Sequence, residues 1–328
     1  MGKAIPNQGL IRYLIENYYQ DSIKPQESSF ISSHWKYFSE LFKVEVDSEG
    51  NLISLSGAAF GSTKWSGFVH RFLDLLCIFS YLIHLPHRRE ILRLKATMSK
   101  ICDSMGLDPT LDVFRQVCTL ELLKRKLPDE IRTKHMHVLM IGDGYGVLSA
   151  LFKSVFPNST LILVDIGKTL LFQAYYIQKA HPDCAHGLAD MGVDLGHTDF
   201  VYCPTERLEI LEKFKFDIAI NIVSMQEMNN HTVARYYAFL RNHLHCNNLF
   251  YCCNRESKML SGGELLEFLK YPWQNGDRYL VDEYCPWTLY FFSRVRAKNG
   301  LYLFGFRIPF ANFYDGKIMH RLAILDTS

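Results

Sequence analysis

The stretch His137-Val138-Leu139-Met140-Ile141-Gly142-Asp143-Gly144-Tyr145-Gly146-Val147-Leu148-Ser149 decides the fold. Val138 to Ile141 are apolar without alternation, which predicts a strand covered on both faces. The strand runs straight into Gly-x-Gly-x-Gly and then into a helical pattern from Val147 to Phe156. Glycines are needed there because the chain must turn tightly and let a ligand approach its backbone beside a helix N-terminus. A second strand, Thr160 to Val164, ends at Asp165. That carboxylate stands about twenty residues after the loop, where an acid can accept both hydroxyls of a ribose.

The same loop discriminates between cofactors. A dinucleotide fingerprint begun at Gly142 requires Gly or Ala at position 147, where this chain carries Val147. A branched side chain there argues against pyrophosphate, and Gly-x-Gly-x-Gly is the S-adenosylmethionine pattern, in which no phosphate is cradled. The expected cofactor contacts are Gly142, Asp143, Gly144, Tyr145, Gly146, Asp165, Ile166 and Ser224. Met140 stands where many such methyltransferases carry Asp or Glu, so a catalytically inactive scaffold that binds S-adenosylmethionine is the alternative from another class.

Outward from the loop, short β-rich runs at Asp199 to Cys203, Phe216 to Ile222 and Leu249 to Cys253 continue the series, with a helix from Thr232 to Leu244. Strands alternating with helices predict a parallel α/β sheet. Two further runs, Leu301 to Phe306 and Arg321 to Leu325, with a turn at Asp315-Gly316, are expected to close it. The total fits the Rossmann-like seven-stranded sheet of class I methyltransferases. Upstream, Leu10 to Tyr19, Ser33 to Phe42, Phe68 to Leu85, Arg88 to Met105 and Leu111 to Leu127 repeat apolar residues near a 3.6 period, broken by a loop from Ser54 to Gly67. Pro128-Asp129 marks the change of grammar. Residues 1–130 are expected to form a mainly helical lid or substrate-binding region, and residues 131–328 the S-adenosylmethionine-binding domain.

Composition narrows the function. The 328 residues are 48% hydrophobic and 21% charged, with 23 Phe and 18 Tyr, enough apolar material to offset chain entropy. Lys and Arg number 36 against 34 Asp and Glu, and with no long run of one sign neither nucleic acid nor an acidic membrane is an expected partner. Nine cysteines without a CxxC pair predict reduced, buried thiols and no metal site. The apolar run from Phe72 to Leu85 contains Asp74 and falls short of the roughly 20 residues of a membrane span, so it reads as a buried helix. With no secretory apolar region at Met1 to Pro6, a cytoplasmic protein is expected.

The fourth-strand stretch Phe216-Asp217-Ile218-Ala219-Ile220-Asn221-Ile222-Val223-Ser224-Met225-Gln226-Glu227-Met228 adds more specific residues. Together with Val164-Asp165, Gln173-Ala174-Tyr175-Tyr176, Phe250-Tyr251-Cys252-Cys253-Asn254-Arg255 and Tyr271-Pro272-Trp273 it resembles the sugar O-methyltransferase family, over about Met136 to Trp287 and loosely around Ser33-His34-Trp35. The resemblance implies methyl transfer to a sugar hydroxyl of a glycan or glycan precursor in polysaccharide biosynthesis; a non-sugar small molecule is the alternative acceptor. Such a reaction needs an aligned hydroxyl and a group that takes its proton. Glu227, directly after the fourth strand, is the expected base, with His231 as substitute and Asn229 or Asn230 capping the helix between them. Gln226, Asn254 and Arg255 are the expected substrate contacts, while Tyr271, Trp273 and Trp287 suit either stacking on a sugar or core packing. A nucleic-acid methyltransferase is disfavoured, because Asn221-Ile222-Val223-Ser224 lacks the Pro-Pro-aromatic sequence of amino-methylating enzymes.

Overall fold

Side chains alternate along a strand, and on β3 (Met136–Ile141) both sets are buried. Val138 and Met140 enter one apolar cluster and Leu139 and Ile141 a second. A sheet with two buried faces needs a layer of helices on each, and that is the architecture seen in the computed structural model, which describes residues 8–19, 31–57, 68, 71, 72, 75, 78, 79, 82, 85–287, 300–303, 306–312 and 317–326.

The N-terminal part opens with helix α1 (Gln8–Leu14), continued by a π-helical turn (Ile15–Tyr19), and α2 (Ser33–Ser39). A hairpin of β1 (Lys43–Val46) and β2 (Leu52–Ser56) follows, and its last residues, Ser54 to Ser56, take up the start of the expected loop. After it come α3 (Arg88–Met105), α4 (Leu111–Lys126) and the short α5 (Asp129–Thr133). Between 68 and 82 the backbone is helical at each described position. The buried helix expected there is corrected in part: Ile78 is buried, whereas Phe68, Phe72, Leu75 and Phe79, spaced along one helical face, are exposed.

The sheet follows: β3, α6 (Val147–Val155), β4 (Ser159–Asp165), α7 (Gly167–Ala180), β5 (His186–Leu188), β6 (Phe200–Pro204), β7 (Phe216–Ile222), α8 (Asn230–His243) and β8 (Leu244–Arg255). With β11 (Arg278–Tyr284) and β14 (Ile318–Ile324) added, its spatial order is β11-β14-β8-β7-β3-β4-β6-β5. All neighbours from β5 to β8 are parallel, and β14 (Ile318–Ile324) is antiparallel to both β8 and β11 (Arg278–Tyr284). Without the three-residue edge strand β5, the seven others in chain order read 3-2-1-4-5-7-6, the expected α/β methyltransferase sheet with one strand added.

One expectation is overturned. The sixth strand of that sheet is Arg278–Tyr284, not Leu301 to Phe306; β12 (Gly300–Leu303) instead pairs with β13 (Phe306–Asn312) in a separate hairpin. The edge strand escaped notice because most of its side chains are exposed and several are charged. The turn expected at Asp315-Gly316 lies outside the described residues. A second small hairpin, β9 (Ser257–Met259) with β10 (Leu265–Glu267), leaves the end of β8.

One face of the sheet carries α8, with Val233, Tyr236, Tyr237 and Leu240 buried against Leu139, Ile162 and Phe250. The other carries α6 and α7, and over them α1, α3 and α4, whose buried residues join Val138, Met140, Leu161 and Leu163 in one cluster. The N-terminal helices thus share a core with the sheet.

Candidate functional site

Chain order reverses across β3: β4 pairs on one side and β7 on the other. In an open α/β sheet the crevice at the carboxyl ends of such strands is where ligands bind. Three turns meet there, following β3, β4 and β7.

The glycine loop leaves β3 with Gly142, Gly144 and Gly146 at φ of 72°, 58° and 78°. This left-handed region costs a residue with a Cβ about 1–2 kcal/mol. Space forbids a side chain as well: a Cβ on Gly142 would lie 2.2 Å from Ser224 Oγ, and one on Gly146 would lie 2.5 Å from Ile177 Cδ1. Tyr145 turns its ring inward, edge-on to Tyr176 at 5.0 Å, so the loop presents only its backbone at that position. Asp143 faces the start of α6, where Ser149 N–H donates to Oδ2 at 2.8 Å and the Ser149 hydroxyl joins it. Burial lifts this carboxyl to about 6 against those hydrogen bonds.

Asp165 ends β4. Ile166 N–H donates to Oδ1 at 2.8 Å, and the amide of Gln173, on α7, donates to Oδ2 at 2.7 Å. Burial raises its carboxyl to about 7, the two hydrogen bonds oppose the rise, and Asp143 and Glu206 add to it. Gln173 is fully buried and fixes the carboxylate's orientation, a role the sequence reading missed because the contact spans eight positions. Glu206, also missed, follows β6, and burial raises its carboxyl too. An acid just after a third parallel strand is the signal that could have found it.

The turn after β7 is held by a buried amide network. Asn221 donates to Ile141 C=O at 2.9 Å, as does the Ser224 hydroxyl at 3.0 Å, which ties this turn to the root of the glycine loop. Asn254 donates to Asn221 Oδ1 at 2.8 Å and accepts from Gln226 N–H at 3.0 Å, while Gln226 Oε1 accepts from Arg255 N–H at 2.8 Å. Asn254 and Gln226 are buried, at 0% and 1% exposure. These bonds join the turn after β7 to the end of β8, and Gln226 Nε2 has no hydrogen-bond partner among the described residues. Between Asn221 and Ser224, Val223 sits at φ 62°, its N–H donating to Cys253 C=O at 2.7 Å. A β-branched residue in that region is strained.

Glu227 closes the turn. Its Oε1 accepts from Lys258 Nζ on β9 at 2.7 Å, and its Oε2 lies 3.5 Å from His34 Nε2 on α2. Burial pushes the carboxyl up, but His34 and Lys258 outweigh it and leave the group below the ordinary carboxylate value. Ser32, the N-cap of α2, donates to Glu227 C=O, and Ser33 Oγ accepts from Gly262 N–H at 3.0 Å. The N-terminal segment reaches the crevice at a second place, where Tyr13 and Tyr18 donate to Asp190 Oδ2 at 3.0 and 2.9 Å, and Tyr18 crowds Gly167 at the start of α7. His231 is exposed in the first turn of α8, and Asn229 is the cap, accepting from Thr232 N–H at 2.8 Å. Tyr271 and Trp287 are buried, and Trp273 packs on Tyr237 and donates to Phe268 C=O, so the aromatics serve the core. Among the described residues no cluster of His, Cys, Asp or Glu is arranged to hold a metal ion, and no helix is long and apolar enough to cross a membrane.

No family model and no curated protein matches the chain. Among solved structures, TrmN from Thermus thermophilus is similar at 13% identity over 64% of this chain and 48% of its own, with a TM-score of 0.37. TehB from Haemophilus influenzae is similar at 12% identity over 63% of this chain and 61% of its own, TM-score 0.40. The cyclopropane synthase MmaA2 from Mycobacterium tuberculosis is similar at 15% identity over 42% of each chain, TM-score 0.31. The chain thus spans about half the length of these structures.

Proposed function

We propose that the chain is an S-adenosylmethionine-dependent O-methyltransferase acting on a sugar hydroxyl of a glycan or glycan precursor, in the cytoplasm. The observation that carries the cofactor is the juxtaposition of three left-handed glycines at the end of β3 with a partly buried carboxylate at the end of β4. The residues fit the group. Asp165 has one hydrogen bond on each oxygen from within the protein, leaving a lone pair on each for a ribose hydroxyl. The left-handed glycines let the loop offer its backbone groups to the amino-acid end of the ligand. Bound there, S-adenosylmethionine supplies an electrophilic methyl group.

The protein's own contribution is alignment and proton removal. The network of Asn221, Ser224, Gln226 and Asn254 holds the β7 turn against the glycine loop, and Glu227 stands at the mouth of that turn. The N-terminal segment is fastened to the sheet's loops through Ser32, Tyr13 and Tyr18, and its role in this reading is to cover the bound ligands. The sugar acceptor rests on the sequence resemblance.

Calorimetry tests the reading. S-adenosylhomocysteine is expected to bind and NAD to show no heat. Gly142→Ala is expected to lose binding, because the new Cβ meets Ser224 Oγ. Tight NAD binding, or no response to S-adenosylhomocysteine, would refute the assignment.

A further inference from the structure

We infer that His34, carried in by the N-terminal helix α2, is the proton acceptor of the methyl-transfer site, and that Glu227 positions it. The inference rests on the methyltransferase reading above.

Glu227 is ill suited to take a proton itself. Both its oxygens are engaged, Oε1 by Lys258 at 2.7 Å and Oε2 by His34, and these partners hold it ionised. A carboxylate in that state orients an imidazole well. Nε2 of His34 faces Glu227 at 3.5 Å, and Nδ1 is the other ring nitrogen, the one assigned here to take the proton. The His34 side chain keeps about a fifth of its surface exposed, so a substrate can reach the ring.

The ring is also held in place. Ser32 caps α2 while donating to Glu227 C=O, Ser33 is tied to Gly262, and the Phe38 ring lies 4.5 Å from the imidazole. Among the described residues the charged groups against it are Glu227 and, through that carboxylate, Lys258. The place is the right one for the chemistry, since the turn ending in Glu227 contacts the glycine loop through Ser224 and Gly142. As the acceptor oxygen bonds to the methyl carbon, the carbon–sulfur bond breaks with its electron pair on sulfur, and the hydroxyl proton passes to His34 Nδ1.

A sulfonium near the ring repels an imidazolium, and a thioether does not. The test is therefore an NMR titration of ¹⁵N-histidine-labelled full-length protein, with His34 assigned by loss of its signal in His34→Gln. The His34 midpoint is expected to be lower by at least about half a pH unit with S-adenosylmethionine than with S-adenosylhomocysteine, by Coulomb repulsion. In the ligand-free protein, Glu227→Gln is expected to lower the midpoint and to abolish the preference for a proton on Nε2. Equal midpoints with both ligands bound would overturn the role of His34 while leaving the cofactor assignment intact. A midpoint and tautomer unchanged in Glu227→Gln would remove the positioning role, and failure of either ligand to bind would sink the methyltransferase reading itself.

Discussion

Asp165 is the residue that should tie cofactor affinity to pH. Ribose hydroxyls donate to a carboxylate, so the ionised form is the better acceptor, and burial has lifted this group to about 7. Affinity for S-adenosylhomocysteine is expected to rise from about pH 6 to about pH 8 and then level off. Asp165→Asn should flatten that profile and weaken binding at the upper end by about tenfold or more, the worth of a charged hydrogen bond. Calorimetry across the range reads both effects, and a flat wild-type profile would place the ribose elsewhere. Stability runs in the opposite sense. The folded carboxyl titrates near 7 and the unfolded one near 3.8, so its contribution is full below about pH 4 and is lost as pH rises through about 7. Without ligand, the Asn variant should therefore melt above wild type on the alkaline side of neutrality.

At the scale of elements, the turn between β7 and α8 is made by its amides. Asn254→Ala would leave Gln226 N–H buried without its acceptor and Asn221 Oδ1 with only Met225 N–H at 3.4 Å. A buried orphan costs about 1–3 kcal/mol, so urea unfolding is expected to show a loss of about that size. A variant as stable as wild type would return Asn254 to the ligand. Much of this element was legible beforehand, because β7 carries Ile218, Ile220 and Ile222 in a mostly apolar run and Asn229 is a good cap in front of a helical period. The direction in which Asn254 points was not, since which face of a strand end meets a neighbouring turn depends on that turn's conformation. The exposed strand Arg278–Tyr284 was illegible for a simpler reason: it lacks the buried alternation by which a strand announces itself.

In the whole molecule, the first 130 residues are less separable than the break at Pro128 suggests. Leu10, Ile11 and Leu14 of α1, Leu94 and Met98 of α3, and Phe114 and Val117 of α4 lie in the same buried cluster as Leu151 of α6 and Phe172 of α7. Removing them would expose to water the faces of α6 and α7 that they cover, at about 25 cal/mol per Å² of apolar surface. Residues 131–328 expressed alone are therefore expected to aggregate or to bind a hydrophobic dye. Size-exclusion chromatography decides the matter, and a soluble monomer melting with the full chain would show a self-sufficient domain.

The sequence by itself determined the parallel α/β class, the glycine turn and the acid at the end of β4, because each is a local demand: period, left-handed backbone, or a residue type at a strand end. Tertiary structure alone decided that Gln173 orients Asp165, that α2 brings His34 within 3.5 Å of Glu227, and that Lys258 completes the group. Those partners are separated by 193 residues from His34 to Glu227 and by 31 from Glu227 to Lys258. No periodicity links such positions, and only the packing of the N-terminal helices over the sheet, driven by the apolar faces they share, brings them to one crevice.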